Sequence, residues 1–352
     1  MAVDHDWQAQ RDQLLGHRIS ELGLAIRGTR VEHLVAQLYA ELEAKGLRFR
    51  PPVYLSDQWG CPDETPLIGV PFYLADPRLE RIEAEMSMSV EDDAEAMRYL
   101  RHEAGHAFNY AFRFHDREDW NRIFGPFGRP YRDRYRADPF SREHVRHILG
   151  WYAQKHPDED FAETFAVWLT PGLDWRQEYA GWPALVKLEY VDKLMREVAD
   201  ADDLEWPTPA EDDLPVEAMR YSVAEHYQEE SDAVPIEDER QFDIDLRQIF
   251  MRGRDAPGAE PAHTFLRRHY REIVARVAFW TSEPPSVVRS LIDVLTRRAE
   301  ALGLRAGSLE AATLIELTAF ATAVVMLHRH TQVFGRARRN VPLRGRSEKV
   351  AI

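Results

Sequence analysis

Two histidines four residues apart, with a glutamate directly after the first, stand in the stretch YLRHEAGHAFNYAF at residues 99–112. On a helix, residues i and i+4 share one face, so His102 and His106 can grip a single ion. Glu103 projects about 100° round, where a carboxylate can hold a water beside that ion. Neutral imidazoles suit zinc, and one carboxylate would complete three protein ligands with a fourth position open. The alternative is coincidence: with 14 histidines in the chain, an H-E-x-x-H match arises by chance in roughly one such sequence in twenty.

The helix that would carry the motif offers a test. Met97, Leu100, Ala104, Ala107, Phe108 and Ala111 form one apolar stripe at helical spacing. By 100° steps His102 and His106 point nearly opposite that stripe. They are therefore expected to face solvent or a cleft rather than the core. Gly105 sits between them, at a cost of about 1 kcal/mol of helix stability relative to Ala. A bare position there would let another backbone approach.

A third ligand has to come from elsewhere. The H-x-x-G-x-x-H continuation is excluded, because Asn109 and Phe112 occupy the required positions, and the region some twenty residues on reads RIFGPFGRP. The next acidic helical stretch is HPDEDFAETFAVWL. Pro157 suits a first helical turn. Phe161, Phe165, Trp168 and Leu169 make an apolar side, with Glu159 and Glu163 together on the other. Stacked carboxylates repel unless a cation or proton donors lie between them. Glu159 as metal ligand and Glu163 as acceptor for a ligand histidine's N–H would satisfy both. A solvated acidic face is the competing reading.

HEAGH followed by YAQKHPDEDFAETFA resembles the glutamate zincins of the lethal-factor type, in which a tyrosine lies seven residues before the ligand glutamate and aromatic–Ala–Glu follows it. Here Tyr152 precedes Glu159 by seven, and Phe161-Ala162-Glu163 follows. The wider stretch, roughly residues 50–196, resembles a bacterial zinc-binding metallopeptidase family. The resemblance implies zinc held by His102, His106 and Glu159, Glu103 as general base, and Tyr152 as the hydroxyl that steadies an oxyanion. It also implies a peptide or protein substrate.

These residues need elements to position them. Val31, Leu34, Val35 and Leu38 predict a helix over 31–45 that stops at Gly46. LRFRPPVYLS and PLIGVPFYLA read as strands of a small sheet, whereas residues 77–90 fit either a strand or a helix. Helices are expected from about Asp92 to Phe114 and from near Pro157, joined by a long connection over 115–150. The expected fold is α+β: a zincin-like catalytic domain with its N-terminal helix over 1–198, built on a small sheet, an active-site helix and a glutamate helix. An acidic linker over 199–213, a mainly helical region over 214–335 and a basic tail over 336–352 would follow. Within the third part, QFDIDLRQIF alternates like a strand, and AATLIELTAFATAVVML reads as a buried helix interrupted by Glu316.

Composition narrows the partners. A net charge of −15 argues against nucleic-acid binding, which runs on clustered Lys and Arg. The polar N-terminus lacks the apolar core of a secretory signal, so a cytoplasmic protein without membrane contact is expected. Oligomeric state is not legible. The lone Cys61 excludes an intrachain disulfide and a cysteine cage; it is read as a small buried residue, or as a thiol that caps a metal site. His144 and His147, three apart in REHVRH, are a second possible metal pair, and RPYRDRYR a possible grip for an acidic part of a substrate. The leading expectation is a zinc-dependent peptidase. The alternative is a non-catalytic, zinc-stabilised partner-binding module, which a fourth ligand such as His144 or Cys61 would favour.

Overall fold

The computed structural model describes residues 2–334, apart from 87–89, 133–134, 136, 149–150, 202–214, 230–235, 237, 254–257, 282, 284, 308 and 332–333. Its contacts divide the chain into two compact units: Met1–Ala233 with Tyr270–Pro285, and Val234–His269 with Ser286–Ile352. Both α and β structure are present, and helix dominates among the described residues.

The first unit opens with α1 (Ala2–Leu15) and α2 (Arg30–Ala44). Val31, Leu34, Leu38 and Leu42 are the buried face of α2, and Gly46, with φ +78°, takes the left-handed turn that ends the element. Then β1 (Val53–Ser56) and β2 (Ile68–Pro71) pair in parallel, Val53 opposite Ile68 and Ser56 opposite Pro71. The ambiguous stretch after β2 resolves as a helix, α3 (Pro77–Met86), with Leu79 and Ile82 inward; residues 87–89 lie outside the described residues.

Next comes α4 (Asp93–Ala111), opened by a capping box in which Asp92 accepts from the Glu95 N–H and Glu95 from the Asp92 N–H. The long connection holds α5 (Glu118–Phe124) and then irregular chain. It ends in a short 3₁₀ turn, Tyr152–Gln154, leading into α6 (Pro157–Leu169), α7 (Trp175–Glu178), α8 (Ala184–Glu197) and α9 (Val223–Glu229). The α4–α6 pair is the centre of this unit. Phe108 stacks on Phe165 at 5.0 Å, and Phe49 meets Phe108 edge-on at 5.2 Å.

One domain boundary differs from expectation. Residues 216–229 belong to the first unit, because Ile19 N–H donates to the Tyr221 carbonyl at 3.1 Å and Ser20 N–H to Met219 at 3.1 Å. The helix Tyr270–Thr281 also belongs there, with Phe279 stacked on Trp151 at 4.1 Å. Of the expected acidic linker only 199–201 are described, and the basic tail lies outside the described residues.

The second unit contains α10 (Asp243–Ile249), β3 (Met251–Arg252), α11 (Ala262–Arg268), then, after α12 (Tyr270–Thr281) of the first unit, most of α13 (Pro285–Ala301), β4 (Leu304–Arg305) and α14 (Glu310–Thr331). β3 and β4 pair antiparallel. The strand expected at QFDIDLRQIF is instead a 3₁₀ turn running into α10, with Phe242 and Leu246 buried. α14 departs further. Glu310–Arg329 is long and apolar enough to cross a membrane by length and composition, yet only 28% of its most apolar window is buried. The expected buried helix buries one stripe, which includes Leu317, Ala321 and Val325.

Candidate metal centre

The sequence places the chemistry on α4 and α6, and their crossing explains how these meet. A Cβ on Gly105 would lie 2.7 Å from Ala162 Cα and 2.9 Å from the Ala162 carbonyl. The missing side chain is what lets the two backbones touch. α6 therefore covers the polar side of α4. The histidines, expected at solvent or a cleft, are buried at 2% and 7% exposure, and Glu159 and Glu163 at 4% and 0%. The reading of Glu159 and Glu163 as a solvated acidic face is thus set aside.

Three ligand atoms converge in that interface. His102 Nε2 lies 3.0 Å from Glu159 Oε2, His106 Nε2 lies 3.2 Å from the same oxygen, and the two Nε2 atoms are 3.1 Å apart. These three residues form a group able to hold a metal ion. These three atoms would hold a bound ion as two imidazole nitrogens and one carboxylate oxygen, the three-protein-donor set of a catalytic zinc site.

The outer nitrogens say why the inner ones are free to ligate. His102 Nδ1 lies 2.9 Å from Glu163 Oε1, and the other Glu163 oxygen accepts the Ile148 N–H at 2.8 Å. His106 Nδ1 lies 2.9 Å from Asp158 Oδ2, close but poorly aligned for a hydrogen bond. With its ring proton on Nδ1, beside Glu163 for His102 and beside Asp158 for His106, each neutral imidazole would turn an Nε2 lone pair inward. Two lone pairs and a carboxylate oxygen then face one point, an arrangement that needs a cation or shared protons at its centre. Nitrogen, nitrogen and oxygen donors suit zinc and neighbouring transition metals, not the all-oxygen preference of calcium or magnesium.

Without an ion, protons take its place. Burial favours neutral imidazoles, but hydrogen bonds to Glu159 and Glu163 outweigh it and raise His102 to about 9. His106 is raised well above its ordinary value by Asp158 and Glu159 against the same burial. Glu159 is held well below the usual carboxylate range by the two rings, despite burial. Glu103 is 6% exposed. Burial pushes it up, with the two histidines opposing. None of the described residues hydrogen-bonds its carboxylate.

Acids crowd this end of α6, and its local structure accommodates them. Asp158, Glu159 and Asp160 lie in the first turn, where the helix dipole favours negative charge. His156 caps that turn by accepting the Asp158 N–H at 3.2 Å and donates through Nε2 to the Arg129 carbonyl at 2.7 Å. Asp160 turns away to Lys187 at 2.6 Å.

The Tyr152 ring centroid lies 5.5 Å from that of His102. Its hydroxyl is 3.4 Å from both the Tyr131 hydroxyl and Lys155 Nζ. Trp151, left-handed at φ 55° and packed on Phe279, anchors the turn.

Two contacts at the cluster escaped the sequence. Asp158 is the carboxylate behind His106, and it also accepts from Asn109 at 2.7 Å and Tyr110 at 2.6 Å. Its signal was its place beside Glu159, since the second imidazole needs an outer acceptor just as the first does. Tyr131 donates to Glu159 Oε1, the oxygen turned away from the histidines; nothing in RPYRDRYR marked it. In that stretch Asp133, Arg134 and Arg136 lie outside the described residues.

The alternative ligands do not join the group. His144 Nε2 is 3.7 Å from Asp160, His147 Nε2 donates to the Arg98 carbonyl at 3.0 Å, and Cys61 Sγ donates to the Thr65 carbonyl at 3.2 Å. Among the described residues the cluster has three ligands. Against known proteins, no family model, no curated protein and no solved structure matches this chain. The resemblance to glutamate zincins therefore rests on the residues quoted for it.

Proposed function

We propose that this protein is a zinc-dependent hydrolase and that its substrates are peptides, with His102, His106 and Glu159 holding the ion. The observation that carries the reading is the convergence of three metal-competent atoms from two buried helices, with Glu103 next to one of them and no fourth ligand among the described residues. The helix pair that carries them supports a zincin-like arrangement.

A zinc ion bound there would polarise a substrate carbonyl and bring the pKa of a water toward 7. Glu103, with its proton affinity raised by burial, takes the proton as the water oxygen adds to the carbonyl carbon. The Tyr152 hydroxyl donates to the developing oxyanion. As the C–N bond breaks, Glu103 returns the proton to the leaving amine. Glu163 and Asp158 keep both imidazoles oriented throughout.

The depth of the cluster favours a second reading, a structural ion in a non-catalytic protein. One comparison separates the two. Glu103→Gln is expected to keep about one zinc per chain and to abolish cleavage of a peptide library. Tyr152→Phe should keep zinc and slow cleavage by about 10- to 1000-fold. A wild-type chain that carries zinc and cleaves nothing in the library, under conditions where it stays folded, would give the structural reading.

A further inference from the structure

A second polar feature lies one helical turn before His102. A cavity of about 550 Å³ opens between the first turns of α4 and the last turn of α6, walled by Arg98, Arg101, Arg146 and His147. Its charges do not cancel. Arg101 is taken by a two-pronged pair to Glu41, 2.7 Å on each arm, and Asp93 is taken by Arg30 at 2.7 Å. Arg146 donates to the Pro139 carbonyl at 3.0 Å and lies over the Trp182 ring, with no carboxylate partner among the described residues. Arg98 is half-buried, and no side-chain hydrogen bond or ion pair engages it among the described residues. Glu178 is the one lining carboxylate left to oppose these two guanidiniums.

Of the two, Arg98 is half-buried and Arg146 is exposed at the rim. A half-buried guanidinium gains most from a planar oxyanion that meets its paired donors. The same cavity offers an apolar side, from Met97, Val167 and Leu173. Its volume lies within the range of small-molecule sites.

We propose that this cavity is a binding site for a small organic anion, a carboxylate or phosphate group joined to an apolar body, with Arg98 and Arg146 receiving the oxyanion. The wall of the cavity is also the back of the metal centre. His147 is tied to the Arg98 carbonyl at 3.0 Å, and the next residue, Ile148, donates to Glu163. The site is distinct from the metal cluster, whose ligands do not line it.

Isothermal titration of the zinc-treated full chain with phenyl phosphate and with phenylacetate tests this, and benzyl alcohol serves as the uncharged control. One or both anions should bind and benzyl alcohol should not; the stronger anion identifies the oxyanion class. Arg98→Gln and Arg146→Gln should each weaken binding about tenfold or more, at unchanged thermal stability. Arg98→Lys, which keeps the charge and loses the fork, should fall between wild type and Arg98→Gln. Affinity should persist after chelation of the metal, whatever the fate of the hydrolase reading. Absence of binding by either anion up to about 10 mM, equal affinity in Arg98→Gln, or loss of binding on chelation alone would overturn the proposal.

Discussion

The two longest helices with contrasting surroundings, α4 and α14, reverse the usual association of apolar with inside. α4 carries histidines, a glutamate and an asparagine, and from His102 through Tyr110 every residue is buried. α14 is apolar over most of its length, and Leu309 just before it and Ile315 within it stand 73% and 69% exposed. Hydrophobic patterning reports that a helix forms and which stripe it prefers to bury. What covers the remaining faces depends on partners that periodicity does not encode. A buried polar face is the more informative departure, because such groups persist inside only when each is matched. In α4 the matches of His102, His106 and Asn109 come from α6, while the Glu103 carboxylate is left without a hydrogen-bond partner among the described residues.

The comparison breaks most decisively at its centre. If the buried polar face of α4 exists to hold an ion, His102→Ala or His106→Ala should reduce bound zinc from about one per chain to none, because two remaining ligands cannot hold a tetrahedral ion tightly. Elemental analysis after dialysis checks this. Zinc retained at full occupancy in the double alanine variant would mean that the polar face has another purpose.

Proton competition sharpens the same point. In the ion-free chain His102 titrates at about 9, above its ordinary 6.5, because Glu159 and Glu163 outweigh burial. A raised folded-state pKa contributes stability that is complete below pH 6.5 and is lost as pH rises through about 9. The ion-free protein should therefore melt at lower temperature at pH 9 than at pH 6.5. Zinc affinity should rise across that window, since fewer protons are displaced. Melting curves with and without zinc at several pH values should diverge; parallel curves would remove the imidazoles from the ligand set.

Much of this centre was legible because it depends on spacing. The four-residue interval of His102 and His106, the seven residues from Tyr152 to Glu159 and the bare position at Gly105 are all properties of a single helix or turn. Tyr131 was not legible for the opposite reason, and Asp158 left no sign beyond its place beside Glu159: their contacts arise from which carboxylate faces which ring across two segments. The Ile148 N–H on Glu163 could not be read at all, since a backbone donor leaves no trace in residue type. The same limit explains the boundary expected at 214. Residues 216–229 join the first unit through backbone pairing to 19–20, which composition cannot foresee. At 242–249, alternation of Phe242, Ile244 and Leu246 suggested a strand, and a helix formed that leaves Ile244 68% exposed.

Gly105→Ala tests the close approach itself. On an isolated helix the change adds about 1 kcal/mol of stability. Here the new methyl would sit 2.7 Å from Ala162 Cα and 3.1 Å from Phe165 Cβ, so backbone must give way. The net effect should be destabilising by about 1–3 kcal/mol in denaturant unfolding, with weaker zinc binding because the two helices separate. A stabilised variant would show that α4 and α6 stand further apart than this packing requires.

The smallest effect is expected at the other pole of the comparison. Ile315 is the most exposed large apolar side chain among the described residues of α14, while Leu317, two residues on, is fully buried. If solvent is what meets that face, Ile315→Gln removes no packing and should shift unfolding by no more than about 0.5 kcal/mol. Glutamine also matches or betters isoleucine in helix propensity, so local structure should not suffer. Urea unfolding of the full chain measures the difference. A loss of several kcal/mol would mean that the apolar face of α14 is covered in solution, and that α4 and α14 obey one rule of burial after all.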